Sequence, residues 1–208
     1  MITFPGEIFI KGSDIKSCSH KELARLISYV PQAQEAHVPF TVWEFVLMGR
    51  FPHLSPFSSV SFEDKRIAED ALITVGMTMF ANRHLDTLSG GERQKVFIAA
   101  SLAQGAEILL LDEPTTFLDP KHQVDIYKIL KELSEKGTIT IISVTHDINH
   151  AALVSRKILA LKGGELIYFG DSHKIMNNEI LKRIYKKDFL FVRHPQSGIP
   201  MIIPETIE

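Results

Sequence analysis

Two stretches decide the fold of this chain: Leu88-Ser89-Gly90-Gly91-Glu92 and, further along, Ile108-Leu109-Leu110-Leu111-Asp112-Glu113-Pro114. The second stretch is a continuous apolar run that ends in two carboxylates, and such a run is typical of a buried strand in a parallel sheet. The first places a serine and two glycines directly before a helix-like segment. Together they predict an α/β protein whose polar groups collect where strands end and helices begin.

Strand and helix patterns alternate on both sides of these stretches, which predicts a mostly parallel sheet covered by helices. From about residue 35 to 87 the pattern changes, because two capping pairs, Thr41 with Glu44 and Ser61 with Asp64, open apolar helical segments. We therefore predict one domain over residues 1–208 with a helical subdomain, about 35–87, inserted in the α/β core. The predicted strands are 7–10, 28–30, 108–111 and 138–144, followed by a hairpin of 158–161 and 166–169 joined at Gly163-Gly164.

Composition excludes several classes of protein. The formal net charge is -2 over 208 residues, so the chain lacks the basic excess of a nucleic-acid binder. Its one cysteine, Cys18, excludes an intrachain disulfide. No apolar run approaches the roughly 20 residues that span a bilayer, so we expect any membrane association to pass through a partner.

Ser89, Gly90 and Gly91 have two interpretations. A serine followed three residues later by a glutamate is a capping box, and the glycines then simply form the turn before a helix. Alternatively, the hydroxyl and the unobstructed glycine N–H groups bind a phosphate at the positive end of the helix dipole. The sequence of this segment alone leaves both interpretations open.

Three further positions follow predicted strands at the edge where ligands bind in open α/β sheets. In phosphoryl transfer, the first acid of a pair such as Asp112 and Glu113 holds magnesium, and the second orients the attacking water. His146 follows the apolar run 138–144 and suits a contact to a phosphate oxygen, and Gln32 follows Tyr29-Val30-Pro31. The alternatives are a strand that merely ends in acids, a structural histidine and an ordinary exposed glutamine.

In combination and in this order, the motifs resemble those of the ATP-binding subunits of ABC transporters. Leu88–Glu92 is similar to the family signature, Ile108–Glu113 to its Walker B strand and Thr116–Asp119 to its D-loop. Gln32 resembles the Q-loop glutamine, and His146 the switch histidine. The resemblance runs from about Gly6 onward and implies an ABC-type P-loop NTPase fold, with ATP and Mg²⁺ as cofactors.

The resemblance also implies a role for each site residue. Glu113 would be the catalytic base or water-positioning acid, and His146 would contact the γ-phosphate. Asp112 and Gln32 would lie next to the metal, and Gln32 also next to the nucleotide. Family members pair head to tail, and Ser89, Gly90, Gly91 and Asp119 would belong to the nucleotide site formed between the two subunits.

Two stretches narrow the resemblance to one subfamily. Pro39–Val42 and Met48–His53 look like importers that take up iron-siderophore complexes, haem or cobalamin. The implied partners are integral-membrane permease subunits and a second ATP-binding subunit, and the implied location is cytoplasmic, on the inner face of the membrane. The alternative for these stretches is ordinary helical core and turn, with Trp43, Phe45 and Phe51 packed inward.

One family element has no counterpart in the 208 residues. A P-loop requires G-x-x-x-x-G-K-S/T, and none of the 12 glycines is followed by lysine. The two strands and the adenine-stacking aromatic that accompany this loop in the family are also missing. We therefore expect an N-terminally truncated, incomplete domain that exposes apolar surface and does not hydrolyse ATP alone.

Three functions remain open at this stage. The first is a truncated importer ATPase. The second is a non-hydrolysing module that lends its signature to the P-loop of a partner ATPase, which predicts a stable heterodimer with restored activity. The third is a soluble ABC-type protein outside transport, which predicts no permease contact through residues 41–53.

Overall fold

The computed structural model describes residues 6–32, 39–55 and 58–203, and the chain divides into two compact units, residues 1–144 and 145–208. Each unit encloses a hydrophobic cluster of its own. The single domain over 1–208 and the inserted subdomain at about 35–87 remain predictions. Residues 33–38, at the beginning of that predicted subdomain, lie outside the described ranges.

The first unit is built on a three-stranded parallel sheet in the order β3-β4-β5, so the predicted α/β class with a parallel sheet is confirmed. Ile27 lies opposite Ile108, and Ile108 lies opposite Thr140. The elements are β1 (Phe9–Ile10), β2 (Ser13–Asp14), α1 (His20–Leu26), β3 (Ile27–Val30), α2 (Val42–Met48), α3 (Phe62–Thr74), α4 (Gly90–Ala103), β4 (Ile108–Asp112), α5 (Pro120–Glu135) and β5 (Thr140–Val144).

Local sequence explains where these helices begin. At four helix starts, the side chain of the cap residue accepts the backbone N–H of the residue three positions later, and the acid at that position accepts the backbone N–H of the cap residue. The four cap residues are Ser19, Thr41, Ser61 and Ser89. The two capping boxes predicted for α2 and α3 are therefore present. Helices α2, α3 and α4 pack on one another, and the fully buried Leu109 and Leu111 of β4 join the same core.

The second unit contains two antiparallel hairpins and two helices. The predicted hairpin turns at Gly163 and Gly164, whose φ angles of 57° and 84° suit the short turns that join twisted strands. The small hydrophobic core of the second unit comprises Ala152, Ile175, Met176 and Leu181. The elements are α6 (Ile148–Val154), β6 (Lys157–Lys162), β7 (Glu165–Asp171), α7 (Asn178–Tyr185), β8 (Leu190–Arg193) and β9 (Pro200–Ile203).

Strand β5 is far more exposed than β4. Within the described ranges it pairs only with β4, and the side chains of Ile142 and Val144 are 53% and 60% exposed. Apolar surface at an unpaired strand edge favours association with other strands. No helix in the part of the chain that the structure describes is both long and apolar enough to cross a membrane.

Candidate functional site

The two acids at the end of β4 lie where the sequence places them. Asp112 is the last residue of the strand, and its Oδ2 accepts a hydrogen bond from the Tyr29 hydroxyl of β3 at 3.1 Å. Desolvation raises the pKa of Tyr29, and the bond to Asp112 raises it further. Gln32 lies two residues beyond the end of β3. Since β3 and β4 are parallel, Gln32, Asp112 and Glu113 all follow strand ends at the same edge of the sheet.

Glu113 has an unusual backbone for a residue with a side chain, with φ at 48°. Its N–H donates to the carbonyl of Val144 at 3.0 Å, which ties it to the end of β5. Its Oε2 accepts a hydrogen bond from the Thr116 hydroxyl at 2.7 Å, and its carbonyl accepts from the Thr116 N–H. Neighbouring backbone and the following turn therefore fix the direction of this carboxylate.

The donors at this edge fit a magnesium ion. Mg²⁺ prefers hard oxygen ligands and commonly binds to one or two carboxylates together with phosphate oxygens and water. Asp112 and Glu113 supply carboxylate oxygens, and Gln32 supplies an amide oxygen. Within residues 6–32, 39–55 and 58–203, no group of three or more histidine, cysteine or acidic side chains could hold a metal ion.

Ser89 forms the predicted capping box at the start of α4. Its Oγ accepts from the Glu92 N–H at 3.3 Å and donates to Glu92 Oε2 at 2.9 Å. The backbone bond from Ser89 lowers the pKa of Glu92. Ser89 and Gly90 are exposed, whereas Gly91 is buried. The capping interpretation is correct for Ser89, and the first N–H groups of α4 lack intrahelical acceptors by the geometry of a helix start, which suits an anion.

The loop before α5 packs against this helix start. Asp119 caps α5 by accepting the His122 N–H at 3.0 Å, and its Oδ2 lies 2.6 Å from His122 Nδ1. A β-carbon at Gly90 would lie 3.6 Å from Leu118 Cδ2, and one at Gly91 would overlap the His122 ring. The start of α4 therefore packs against Leu118 and His122, and Asp119 is linked to it through His122.

His146 belongs to the second unit, where it is exposed and immediately precedes Asp147, the cap of α6. Asp147 accepts the His150 N–H at 3.0 Å and lies 2.8 Å from His150 Nδ1. Burial opposes ionisation of Asp147, but the hydrogen bonds from His150 outweigh it, so the pKa of Asp147 is lowered. Aspartate and histidine thus form the same cap on α6 as on α5.

The importer-like stretch Met48–His53 has a structural role. Arg50 is buried, pairs with Asp64 at 3.0 Å and donates to the carbonyl of Ala103 at 2.7 Å. The Nε2 of His53 lies 2.8 Å from the carbonyl of Gln104. Both side chains therefore satisfy carbonyls at the end of α4, which a helix otherwise leaves without partners.

The aromatic side chains near this stretch divide into two groups. Trp43 and Phe45 pack against the first unit's core, as the helical-core alternative predicts, but Phe51 is 71% exposed. A β-carbon at Gly49 would lie 2.3 Å from the carbonyl of Ala100, so α2 approaches α4 closely only because position 49 has no side chain.

His122 was not predicted from the sequence as a site residue. Its signal is the spacing Asp119-x-x-His122, an aspartate cap with a histidine one turn into the helix. The spacing shows the bond to Asp119 but not the contact with Gly91, because that contact depends on how α4 and α5 pack. Lys95 of α4 also joins Asp125 of α5 at 2.7 Å.

Known proteins resemble the chain over most of its length. The protein-family model described as ABC transporter matches residues 3–116. The iron(3+)-hydroxamate import ATP-binding protein FhuC of Bacillus subtilis is 42% identical over 203 residues, which are 98% of this chain and 76% of that protein. The ferric enterobactin transport ATP-binding protein FepC of Escherichia coli is 36% identical over 199 residues, 96% of this chain and 73% of that protein.

Solved structures agree with these relatives. A metal-chelate type ABC transporter in an inward-facing conformation superposes with a TM-score of 0.79 at 29% identity, over 87% of this chain and 72% of that one. A dimeric ATP-binding cassette in a post-hydrolysis state, bound to ADP and phosphate, superposes with a TM-score of 0.66 at 32% identity. The match covers 80% of this chain and 73% of that one. Because the family model covers more than half of the residues and both relatives align with nearly all of them, the chain belongs to the ABC transporter family, among its ATP-binding subunits.

Proposed function

We propose that this chain is the ATP-binding subunit of an importer for iron chelates of the siderophore type. The support comes from two relatives whose names specify iron(3+)-hydroxamate import and ferric enterobactin transport, aligned over 98% and 96% of this chain. The alternative substrates of such an importer are haem and cobalamin. In this proposal the chain lies on the inner face of the membrane, bound to permease subunits.

The observation that carries a nucleotide-dependent function is the pair of acids at the carboxyl end of β4, with Glu113 fixed by Val144 and Thr116. Asp112 and Gln32 would hold Mg²⁺, and the ion would supply positive charge against the phosphates. Glu113 orients the attacking water and accepts its proton. His146 donates a hydrogen bond to the γ-phosphate.

The remaining site residues serve a nucleotide that a second ATP-binding subunit holds. Gly90 and Gly91 offer backbone N–H groups at the positive end of α4, Ser89 offers its hydroxyl, and Asp119 shapes the neighbouring loop. These groups need no phosphate loop in their own chain. We also propose that residues 1–208 form one ABC domain, with about 35–87 as its inserted helical subdomain. This domain is incomplete without a phosphate loop.

We further propose that the 208 residues alone have negligible ATPase activity, because they contain no G-x-x-x-x-G-K-S/T. The assay is ATP turnover by the purified chain with Mg²⁺, compared with its Glu113→Gln variant. Equal background rates support the proposal. A rate in the usual enzyme range of about 1 to 1,000 per second that disappears in Glu113→Gln contradicts it.

The second candidate is a non-hydrolysing module that only lends its signature to a partner. It is favoured by one feature: Ser89 caps α4 with Gly90 and Gly91 in its first turn, whereas the 208 residues contain no G-x-x-x-x-G-K-S/T. Replacing Glu113 by Gln separates the two functions. It abolishes activity of an assembly in which this chain positions the water, and it leaves activity unchanged in one where this chain contributes only Ser89 to Gly91.

The importer role is tested by isolating the tagged chain from detergent-solubilised membranes of its source cells. We expect a permease with many membrane spans to copurify, and iron-chelate uptake to fall when the gene is disrupted. Recovery of the chain without any membrane partner, together with unchanged uptake, would contradict the importer role and favour a function outside transport.

A further inference from the structure

His122 fills the space where residue 91 would carry a side chain. A β-carbon built on Gly91 lies 2.2 Å from both Cγ and Cδ2 of the His122 ring and 2.7 Å from its Cβ. Those separations are impossible for real atoms, so the ring lies directly against the backbone of the signature glycine. The neighbouring Gly90 has no such restriction, since its nearest neighbour would be Leu118 Cδ2 at 3.6 Å.

Asp119 fixes the ring in this place. Its Oδ2 lies 2.6 Å from Nδ1 of His122, and its Oδ1 accepts the backbone N–H of the same residue at 3.0 Å. The side chain of His122 is only 23% exposed, so the ring has little freedom to turn away. Backbone and side chain of His122 are therefore both held by one carboxylate.

Several charged side chains lie around the His122 ring. The carboxyl pKa values of Glu92 on α4 and of Asp119 and Asp125 at α5 are all lowered, and His122 contributes to each. Cations also act on these acids: Arg83 on Glu92, and Lys95 and Lys128 on Asp125. The His122 ring therefore lies among three carboxylates whose ionised form is favoured.

We propose that His122 is a positioning residue that sets where the backbone of Gly91 lies, and that Asp119 acts on the signature through it. A change in the carboxylate of Asp119 or in the ring of His122 then moves the Gly91 N–H. The consequence for ATP rests on the proposed function, in which this N–H faces the nucleotide. The positioning itself requires no nucleotide.

The first test compares backbone amide resonances of the ¹⁵N-labelled 208-residue chain with those of Asp119→Asn, His122→Gln and the double variant. We expect each single substitution to move the Gly91 amide, and Asp119→Asn to move it no further once His122 is replaced. The matched control is His150→Gln, which alters the same kind of cap on α6 and should leave the Gly91 amide unchanged. A Gly91 amide that moves in neither single variant, or that Asp119→Asn moves equally with and without His122, would overturn the proposal.

A steric exchange provides the second test. Gly91→Ala should lower the melting temperature, or prevent folding, and adding His122→Ala should recover most of the loss because the methyl group then occupies the space of the ring. Gly90→Ala should fold normally. Additive losses in the double variant, or failure of Gly91→Ala and of the double variant alike, would mean that the ring does not lie on Gly91.

A third measurement separates this proposal from the proposed function. MgATP is added together with a second cassette that carries a phosphate loop, and the Gly90 and Gly91 amides are followed. If nucleotide leaves both amides unchanged while the first two tests behave as expected, the positioning by His122 stands and the nucleotide role fails. If the amides respond to nucleotide equally in His122→Gln, the positioning proposal fails instead.

Discussion

Glu113 holds a left-handed backbone conformation that side chains normally avoid, with φ at 48°. For a residue with a β-carbon this conformation costs about 1–2 kcal/mol. The bonds to Val144 and Thr116 maintain it. Strain of this kind persists where surrounding structure requires it and is common at functional sites. It directs the carboxylate from the strand end into the edge where Asp112 lies, at the expense of stability.

The strain predicts an order of stability between two variants that both lack the carboxylate. The free energy of unfolding of Glu113→Gly should be about 1 kcal/mol higher than that of Glu113→Ala, because only glycine adopts this backbone conformation without a steric cost. Urea denaturation of the two proteins measures the difference. An alanine variant as stable as the glycine variant would show that position 113 is not strained.

The buried pair of Arg50 and Asp64 predicts a dependence on pH. Hydrogen bonds from Ser61 and then Arg50 lower the pKa of Asp64 from 3.8 to about 2. A lowered folded-state pKa adds stability above the unfolded value, and this stability is lost as pH falls from about 4 to about 2. Unfolding free energies measured across this range should show a drop that is absent in Asp64→Asn.

Asp64→Asn should also destabilise the first unit at neutral pH, by about 3–5 kcal/mol, because the Arg50 guanidinium stays buried without its counter-ion. The matched control is Asp70→Asn, which removes an exposed acid of the same helix that pairs with Arg66 and should cost at most about 1 kcal/mol. Equal losses in the two variants would contradict a buried role for Asp64.

At the scale of elements, α4 connects the candidate site to the helical layer of the first unit. Its N-terminus carries the signature glycines and the capping box of Ser89, and its C-terminal carbonyls are bound by Arg50 and His53. The Nε2 of Gln104, which caps the helix, also donates to the carbonyl of Ile27 at the start of β3. Both ends of the signature helix are therefore fixed by side chains from other elements.

The capping box predicts that two substitutions of Ser89 differ in their effect on the free energy of unfolding. Ser89→Ala should lower the free energy of unfolding by about 1 kcal/mol, as loss of an N-cap does, whereas Ser89→Thr should retain the cap. Thr41→Ala, at the equivalent box of α2, should cost a similar amount. Thermal unfolding of the three variants checks this. If Ser89→Ala leaves stability unchanged, Ser89 does not cap α4.

Elements with a local cause were predictable from sequence. Strand β4 follows from its apolar run, and α5 from the capping aspartate and the proline that begins it. The hairpin of β8 and β9 was not predicted, because Leu190–Arg193 is a short run whose partner follows only after a turn of mixed polarity. Parallel strands end at one edge, so the placement of Asp112, Glu113 and Gln32 at that edge was also predictable; their joint role at a metal stays a prediction. The contact between Gly91 and His122 was not, since only helix packing creates it.

At the scale of the whole molecule, each unit buries its own core, but the exposed edge of β5 remains. Ile142 and Val144 of this strand are more than half exposed; that the exposure follows from a missing segment stays a prediction. Unpaired strand edges with apolar side chains bind other strands, so this edge favours self-association of the first unit.

Ile142→Lys should therefore reduce self-association of the purified chain, because a charged residue on an edge strand opposes pairing with another strand. The matched control is Ile73→Lys, the same change at an equally exposed position on helix α3. Sedimentation velocity at several protein concentrations should show a smaller oligomer fraction for Ile142→Lys only. Equal effects of the two substitutions would indicate general solubility rather than pairing at this edge.

The measurement that tests the central claim most directly is MgATP turnover by this chain mixed with a cassette that carries a phosphate loop but whose own signature serine and glycines have been replaced. The account predicts turnover in the mixture that neither protein shows alone, and loss of this turnover when Ser89 or Gly91 of the present chain is changed. Turnover that is absent from the mixture, or that survives both substitutions, would contradict the claim that Ser89 to Gly91 complete a nucleotide site on a second subunit.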